Sequence, residues 1–157
     1  MAKRGWKSKL TRVVMVDWRQ RGLLLEAVAG LIAARVLLAA RPFRAVAKRM
    51  GSFVPVTDPR TREQHAPGEP APAAIAGEIS WAVTRAAAHV PFKAVCLPQA
   101  MVAQAMLKRR GIASVVHFGT RRTDEKPIDA HAWVEAAGVE VTGYPMPENM
   151  TPIGAFV

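Results

Sequence analysis

At 157 residues and 17.0 kDa, the chain has room for one domain, or for one domain with a helical appendage. Half of its residues are hydrophobic and 22% are charged, which excludes disorder as a description of the whole, while 12 prolines and 11 glycines mark irregular stretches. A net charge of +10 points to nucleic acid, an anionic membrane or an acidic protein, but residues 1–60 hold 13 Lys or Arg against three acids (Asp17, Glu26, Asp58), and residues 61–157 hold nine of each sign.

Residues 1–12, MAKRGWKSKLTR, read as a solvated basic arm around Trp6. From Trp18 to Arg41 the text is rich in Leu and Ala and free of Pro, which predicts one long helix ending at the Arg41–Pro42 step, with Leu24, Ala27, Val28, Leu31, Ala34 and Leu38 at helical spacing. Gly22 to Ala40 is apolar apart from Glu26 and Arg35. Each of those charges costs roughly 2.5 to 3.5 kcal/mol at the centre of a spanning helix, against gains of about 0.3 to 0.6 for each large aliphatic residue. A span is therefore marginal; the helix is expected to pack within the protein, with an interfacial helix as the alternative. RPFRAVAKRM (41–50) predicts a second basic helix, started by Pro42 and stopped by Gly51.

Residues 52–75 contain five prolines and no sustained period, and read as a linker. The charge break coincides with it, so the expected organisation is a basic helical region over 1–51, a Pro-rich linker over 52–75 and a second domain over 76–157. In that domain Ala76–His89 predicts a helix with Ile79, Val83 and Ala87 on one face. LPQAMVAQAMLKRR predicts another, with Pro98 in its first turn, Lys108, Arg109 and Arg110 in its last and Gly111 at its stop. IASVVHFG (112–119) predicts a strand, 121–129 a polar loop, and AHAWVE with VEVTGY a β-hairpin; the Pro-containing tail carries no assignment. Trp81 and Trp133 fall in periodic apolar segments and are expected in the core.

Cys96 is the lone cysteine, so no intramolecular disulfide is available; no secretory signal opens the chain, and a cytoplasmic location is expected. Cys96 stands at the N-terminal edge of a helix, where unpaired amides and the helix dipole favour a thiolate and could donate to an oxyanion. A buried, inert thiol is the simpler reading of Cys96 alone. A thiol nucleophile needs a base, and the candidates are His65 in the linker, His89 at a helix end, His117 in mid-strand and His131 at the start of the hairpin. Spacing alone separates His131 from His117 only weakly.

The text CLPQAMVAQAMLKRRGIASVVHFG, followed by AHAWVEAAGVEVTG, resembles the leader peptidases of lasso-peptide biosynthesis, a branch of the transglutaminase-like, papain-related cysteine peptidases. The resemblance covers residues 76–143, and LLLEAV followed by ARPFRAVAKRMG is similar to the helical region that precedes them in that family. It implies an α+β fold, with a Cys-bearing helix packed on a small antiparallel sheet. It also implies removal of the leader from a ribosomally made precursor, with Cys96 as nucleophile and His131 as general base and acid; one Cys and four scattered His make no credible metal site, and no cofactor is expected. The implied partners are the precursor, a separate leader-recognition protein and an ATP-using cyclase. The family's third catalytic member is an Asp about twelve residues after the His, where this chain has Thr142 and Gly143. With a two-residue turn at Ala137–Gly138, Glu135 faces Glu140, Trp133 faces Thr142 and His131 falls near Tyr144, leaving Glu140 too far up the ladder to orient His131. Asp129 is expected as a loop acid, and a backbone carbonyl, the Thr142 hydroxyl or a water remains for the orienting role.

The competing expectation is a non-catalytic basic module or scaffold, with Cys96 structural and residues 1–60 gripping an anionic membrane, nucleic acid or an acidic partner. Nucleic acid has bulk charge alone in its favour, since no zinc pattern or repeated Gly–aromatic motif is present, and it is not expected as a partner. The basic helices are expected instead to dock an acidic leader, an acidic partner or, peripherally, a membrane.

Overall fold

The computed structural model describes residues 17–63, 68–125 and 127–157. The basic arm over 1–12 and His65 lie outside them. Helix α1 (Trp18–Ala40) begins where the Asp17 carboxylate accepts from the Trp18 N–H and ends where Arg41 turns extended before Pro42. Its buried face is Leu23, Ala27, Leu31 and Ala34. Helix α2 (Phe43–Met50) follows and stops at Gly51.

The stretch 52–75 is not an irregular linker. It carries strand β1 (Phe53–Val54), the short helix α3 (Arg60–Glu63) and the first turns of α4 (Pro70–Ala87), six residues ahead of the expected start. Proline misleads here because its positions cost nothing. Pro70 and Pro72 sit in the first turn of α4, where amides have no helical partner, and Pro55 and Pro59 fall outside the strand ladder. Asp58 steadies the entry to α3 by accepting from the Arg60 main-chain amide and from its guanidinium.

Helix α5 (Cys96–Arg109) closes with the expected Gly111: the Gly111 amide bonds the Lys108 carbonyl and the Ile112 amide bonds that of Leu107. The remaining strands are β2 (Val115–Arg121), β3 (Asp129–Ala136), β4 (Val139–Thr142) and β5 (Thr151–Phe156). They form one antiparallel sheet in the order β1-β5-β2-β3-β4. Strand β5, drawn from the unassigned tail, lies inside this sheet between β1 and β2. Its Pro152 is tolerated near the strand start, beside the irregularity in its pairing with β2.

The fold is thus α+β, with α1, α2, α4 and α5 on one sheet face and the short α3 beside His117 and Trp133 on the other. Leu31 of α1, Met50 of α2, Ile79 of α4, Met106 and Leu107 of α5, and Val116, Val134 and Phe156 of the sheet belong to one hydrophobic cluster. The expected division at 52–75 is therefore not a division of the core. Across the N-terminal and C-terminal parts Glu26 of α1 also takes Arg109 at 2.5 Å and Arg110 at 2.6 Å from the end of α5. The hydrogen bonds from Arg110, and then those from Arg109, outweigh partial burial and hold the Glu26 carboxyl below its ordinary range.

Leu31→Ala removes a fully buried side chain and is expected to cost about 2–5 kcal/mol in a single urea transition. Helices that melted first, with the sheet intact, would instead reveal independent cores. Because the Glu26 carboxyl is held low in the folded state, its stabilisation is complete above the ordinary value of 4.5 and fades as pH falls through the lowered one. The stability gap between wild type and Glu26→Gln, measured by urea titration, should accordingly shrink with acidification below that value; a gap independent of pH would remove the ion-pair account.

Candidate active site

Cys96 is the first residue of α5 and is half-buried. The preceding Val95 is extended and contributes no side-chain cap, and Pro98, the third helical residue, has no N–H. The first-turn donors left by the helix are therefore the Cys96 and Leu97 amides, before the ladder opens with the Gln99 amide on the Val95 carbonyl at 3.4 Å. The Gln99 side chain donates to the Ala94 carbonyl at 2.6 Å, which fixes the approach of the chain to the helix head.

Helix α5 lies against β3, where alternation divides the side chains. Ala132, Val134 and Ala136 enter the core under the helices, and Cys96 packs against that same cluster. His131 stands with Trp133 on the other row: its ring stacks on Trp133 at 6.2 Å between centroids, and Trp133 stacks on His117 of β2 at 5.3 Å. Gly119 lies opposite His131 in β2. The structure packs the Cys96 helix on the His131 strand but sets Cys96 with the core row and His131 with the other, and no hydrogen bond joins thiol and imidazole among the described residues. Catalytic hydrogen bonds are commonly long or absent until substrate binds.

The hairpin departs from its expected register. Ala137 and Gly138, with φ of 51° and 75°, make the two-residue turn, and Glu135 faces Glu140 as anticipated. Then the ladder shifts: Val134, not Trp133, pairs with Thr142, leaving Val141 as an extra residue in β4. This bulge carries Gly143 to a place where its carbonyl oxygen is 2.6 Å from His131 Nε2. A carbonyl oxygen can only accept, so Nε2 bears the proton and the lone pair of the neutral ring is on Nδ1.

Gly143 is at φ +87°, and a Cβ there would lie 2.5 Å from the Ala132 carbonyl oxygen. The absence of an acid near this position thus has a steric reason, and the main chain meets the imidazole instead. The Thr142 hydroxyl is buried and does not reach His131; its Oγ1 has no hydrogen-bond partner among the described residues. Asp129 is the first residue of β3, rather than a loop residue, and is paired with Arg121 at 2.9 Å. Of the other histidines, His89 is exposed with Nδ1 on the Arg85 carbonyl. His117 Nε2 is buried 3.4 Å from a Glu135 carboxylate oxygen, and the other oxygen accepts from the Tyr144 hydroxyl. Burial, and then the Glu135 hydrogen bond, pushes Tyr144 ionisation far upward, so the phenol stays a donor.

The family described as the transglutaminase-like superfamily matches residues 36–154. The chain belongs to that superfamily. No curated protein and no solved structure matches the chain. A transglutaminase-like chain of this kind is consistent with the helical region followed by an antiparallel sheet, and the superfamily often comprises cysteine peptidases and transferases. Its match begins inside α1 and runs through β1 to β5, across the stretch expected to be a linker. Sequence reasoning left a backbone carbonyl among three candidates for this role without saying which; the available signal for Gly143 was a glycine just after a strand, which marks a bulge or a close backbone approach.

Gly143→Ala is expected to destabilise the protein by about 1–3 kcal/mol, because alanine is strained at this φ and collides with Ala132. It should also displace the carbonyl and loosen the Nε2–H tautomer of His131, read from imidazole ¹⁵N shifts. Unchanged stability and unchanged shifts would show that the position tolerates a side chain.

Proposed function

We propose that the chain is a cysteine endopeptidase that removes the leader segment from a ribosomally made lasso-peptide precursor. The observation that carries this reading is the bond between His131 Nε2 and the Gly143 carbonyl, which orients the imidazole and leaves Nδ1 as the nitrogen free to take a proton. Support comes from the transglutaminase-like match and from the CLPQAMV…AHAWVE text that resembles the leader peptidases.

In this mechanism binding of the precursor closes the gap between the head of α5 and His131 at the start of β3, and the Cys96 thiol gives its proton to Nδ1. The thiolate attacks the scissile carbonyl carbon, and the oxyanion that forms is met by the Cys96 and Leu97 amides. Collapse breaks the C–N bond; the leaving amine takes the proton from His131, and the leader stays bound to Cys96 as a thioester. Water, deprotonated by His131, attacks the thioester and releases the leader acid and the free thiol. The Gly143 carbonyl does for the ring what an acid does in related sites: it fixes the tautomer and steadies the imidazolium. A separate leader-recognition protein presents the substrate, and an ATP-using cyclase closes the released peptide.

Incubating the protein with a lasso precursor and its recognition partner is expected to release the leader, read by mass spectrometry. Cys96→Ala should abolish release, and His131→Ala should slow it roughly 10²- to 10⁴-fold while also slowing iodoacetamide alkylation of Cys96 near neutral pH. Undiminished cleavage by Cys96→Ala would end the thiol mechanism. Alkylation that His131→Ala leaves unchanged would end the role of the imidazole, and a folded chain that never cleaves would favour a scaffold.

A further inference from the structure

Helix α1 is long and apolar enough to cross a membrane by length and composition alone. Its packing forbids that orientation, because Leu23, Ala27, Leu31 and Ala34 are buried against the rest of the protein and Glu26 is ion-paired to the end of α5. A helix bound along one whole side can only lie flat. Its other side is equally apolar and uncovered: Trp18 is 85% exposed, Leu25 71%, Ile32 49% and Val36 61%. At 100° per residue these four fall in one stripe, about 27 Å long.

Among the described residues the charges along most of the stripe are basic, and the acids near it, Asp17, Glu26 and Glu78, gather at its Trp18 end, where Glu78 pairs with Arg19 and Glu26 with Arg109 and Arg110. Exposed Arg21 and Arg35 border it on one side. On the other, Ala33, Val36 and Ala40 pass into a groove of about 640 Å³ against α5 that is rimmed by Arg41, Arg49 and Lys108. The three acids within the first 60 residues each have a partner within the chain. Asp17 caps α1, Glu26 holds Arg109 and Arg110, and Asp58 holds Arg60.

We propose that this face of α1 seats the protein on an anionic lipid surface, with α1 in the plane of the headgroups. The proposal does not depend on the peptidase reading. A ridge that is apolar along its length, flanked by cations and started by a tryptophan, has the pattern of an in-plane interfacial helix. A second copy is a poor occupant, since apposing two such faces brings like charges together. An acidic partner helix would seat in the groove beside the stripe and leave Trp18 and Leu25 uncovered.

Co-sedimentation with vesicles of equal parts phosphatidylcholine and phosphatidylglycerol tests this directly. Binding is expected to the mixed vesicles, to weaken as salt is raised, and to be weak or lost with phosphatidylcholine alone. Ile32→Glu with Val36→Glu should lower affinity about a hundred-fold while far-UV circular dichroism is unchanged, since both side chains are already exposed. Arg35→Gln with Arg41→Gln and Arg49→Gln should erase the preference for anionic lipid. Failure to bind the mixed vesicles, or equal binding by either variant, overturns the proposal. A dimer that Ile32→Glu with Val36→Glu dissolves, in protein that ignores vesicles, would assign the face to self-association instead.

Discussion

Close approach of α5 to three neighbours at once is the constraint on which the rest of the structure depends. The helix is packed by α1, α4 and β3, in a core rich in buried alanine. Ala27, Ala76, Ala82, Ala100, Ala103 and Ala136 are all fully buried. A Cβ on Gly30 of α1 would lie 2.8 Å from a Val102 methyl of α5. Larger residues at these places would push α5 off the sheet and carry Cys96 with it. Dispersion across such short contacts and burial of the few larger members, Leu31, Ile79, Met106 and Leu107, supply the cohesion.

Given that placement, the surroundings of His131 follow from one extra residue in β4. A regular hairpin would have set Tyr144 opposite His131. With Val141 bulged, the carbonyl of a glycine that has no room for a side chain meets the ring. A main-chain acceptor has no charge to stabilise an imidazolium as strongly as a carboxylate does, but it cannot rotate away or titrate. The same hairpin buries Glu135 against Tyr144 and His117 on the sheet face away from α1, α4 and α5, so the two histidines share Trp133 but have different neighbours.

The charge asymmetry takes a different meaning on the folded chain. Part of the basic excess of the first 60 residues is spread around the uncovered side of α1 and across α2, while Arg109 and Arg110, far away in the sequence, are spent on Glu26. Helix α1 therefore has two apolar sides with separate tasks. One is buried in the core; the other borders a cationic rim, and single-sequence hydropathy cannot distinguish them.

The elements that local chemistry dictates were legible in the sequence: α1 up to the Arg41–Pro42 step, α5 between Cys96 and Gly111, the turn at Ala137–Gly138, and the α+β class. Each depends on a residue whose backbone preference acts within a few positions. Strand β5 and strand β1 were not legible, because two short segments separated by about a hundred residues become strands only by pairing with each other and with β2. Nor was the continuity of the core, since prolines that sit in a helix's first turn are indistinguishable in text from those of a linker. Sequence by itself determined the candidates, one thiol at a helix start and four histidines. Which group holds the imidazole was decided by a one-residue register shift, a property of how two strands meet rather than of either strand alone.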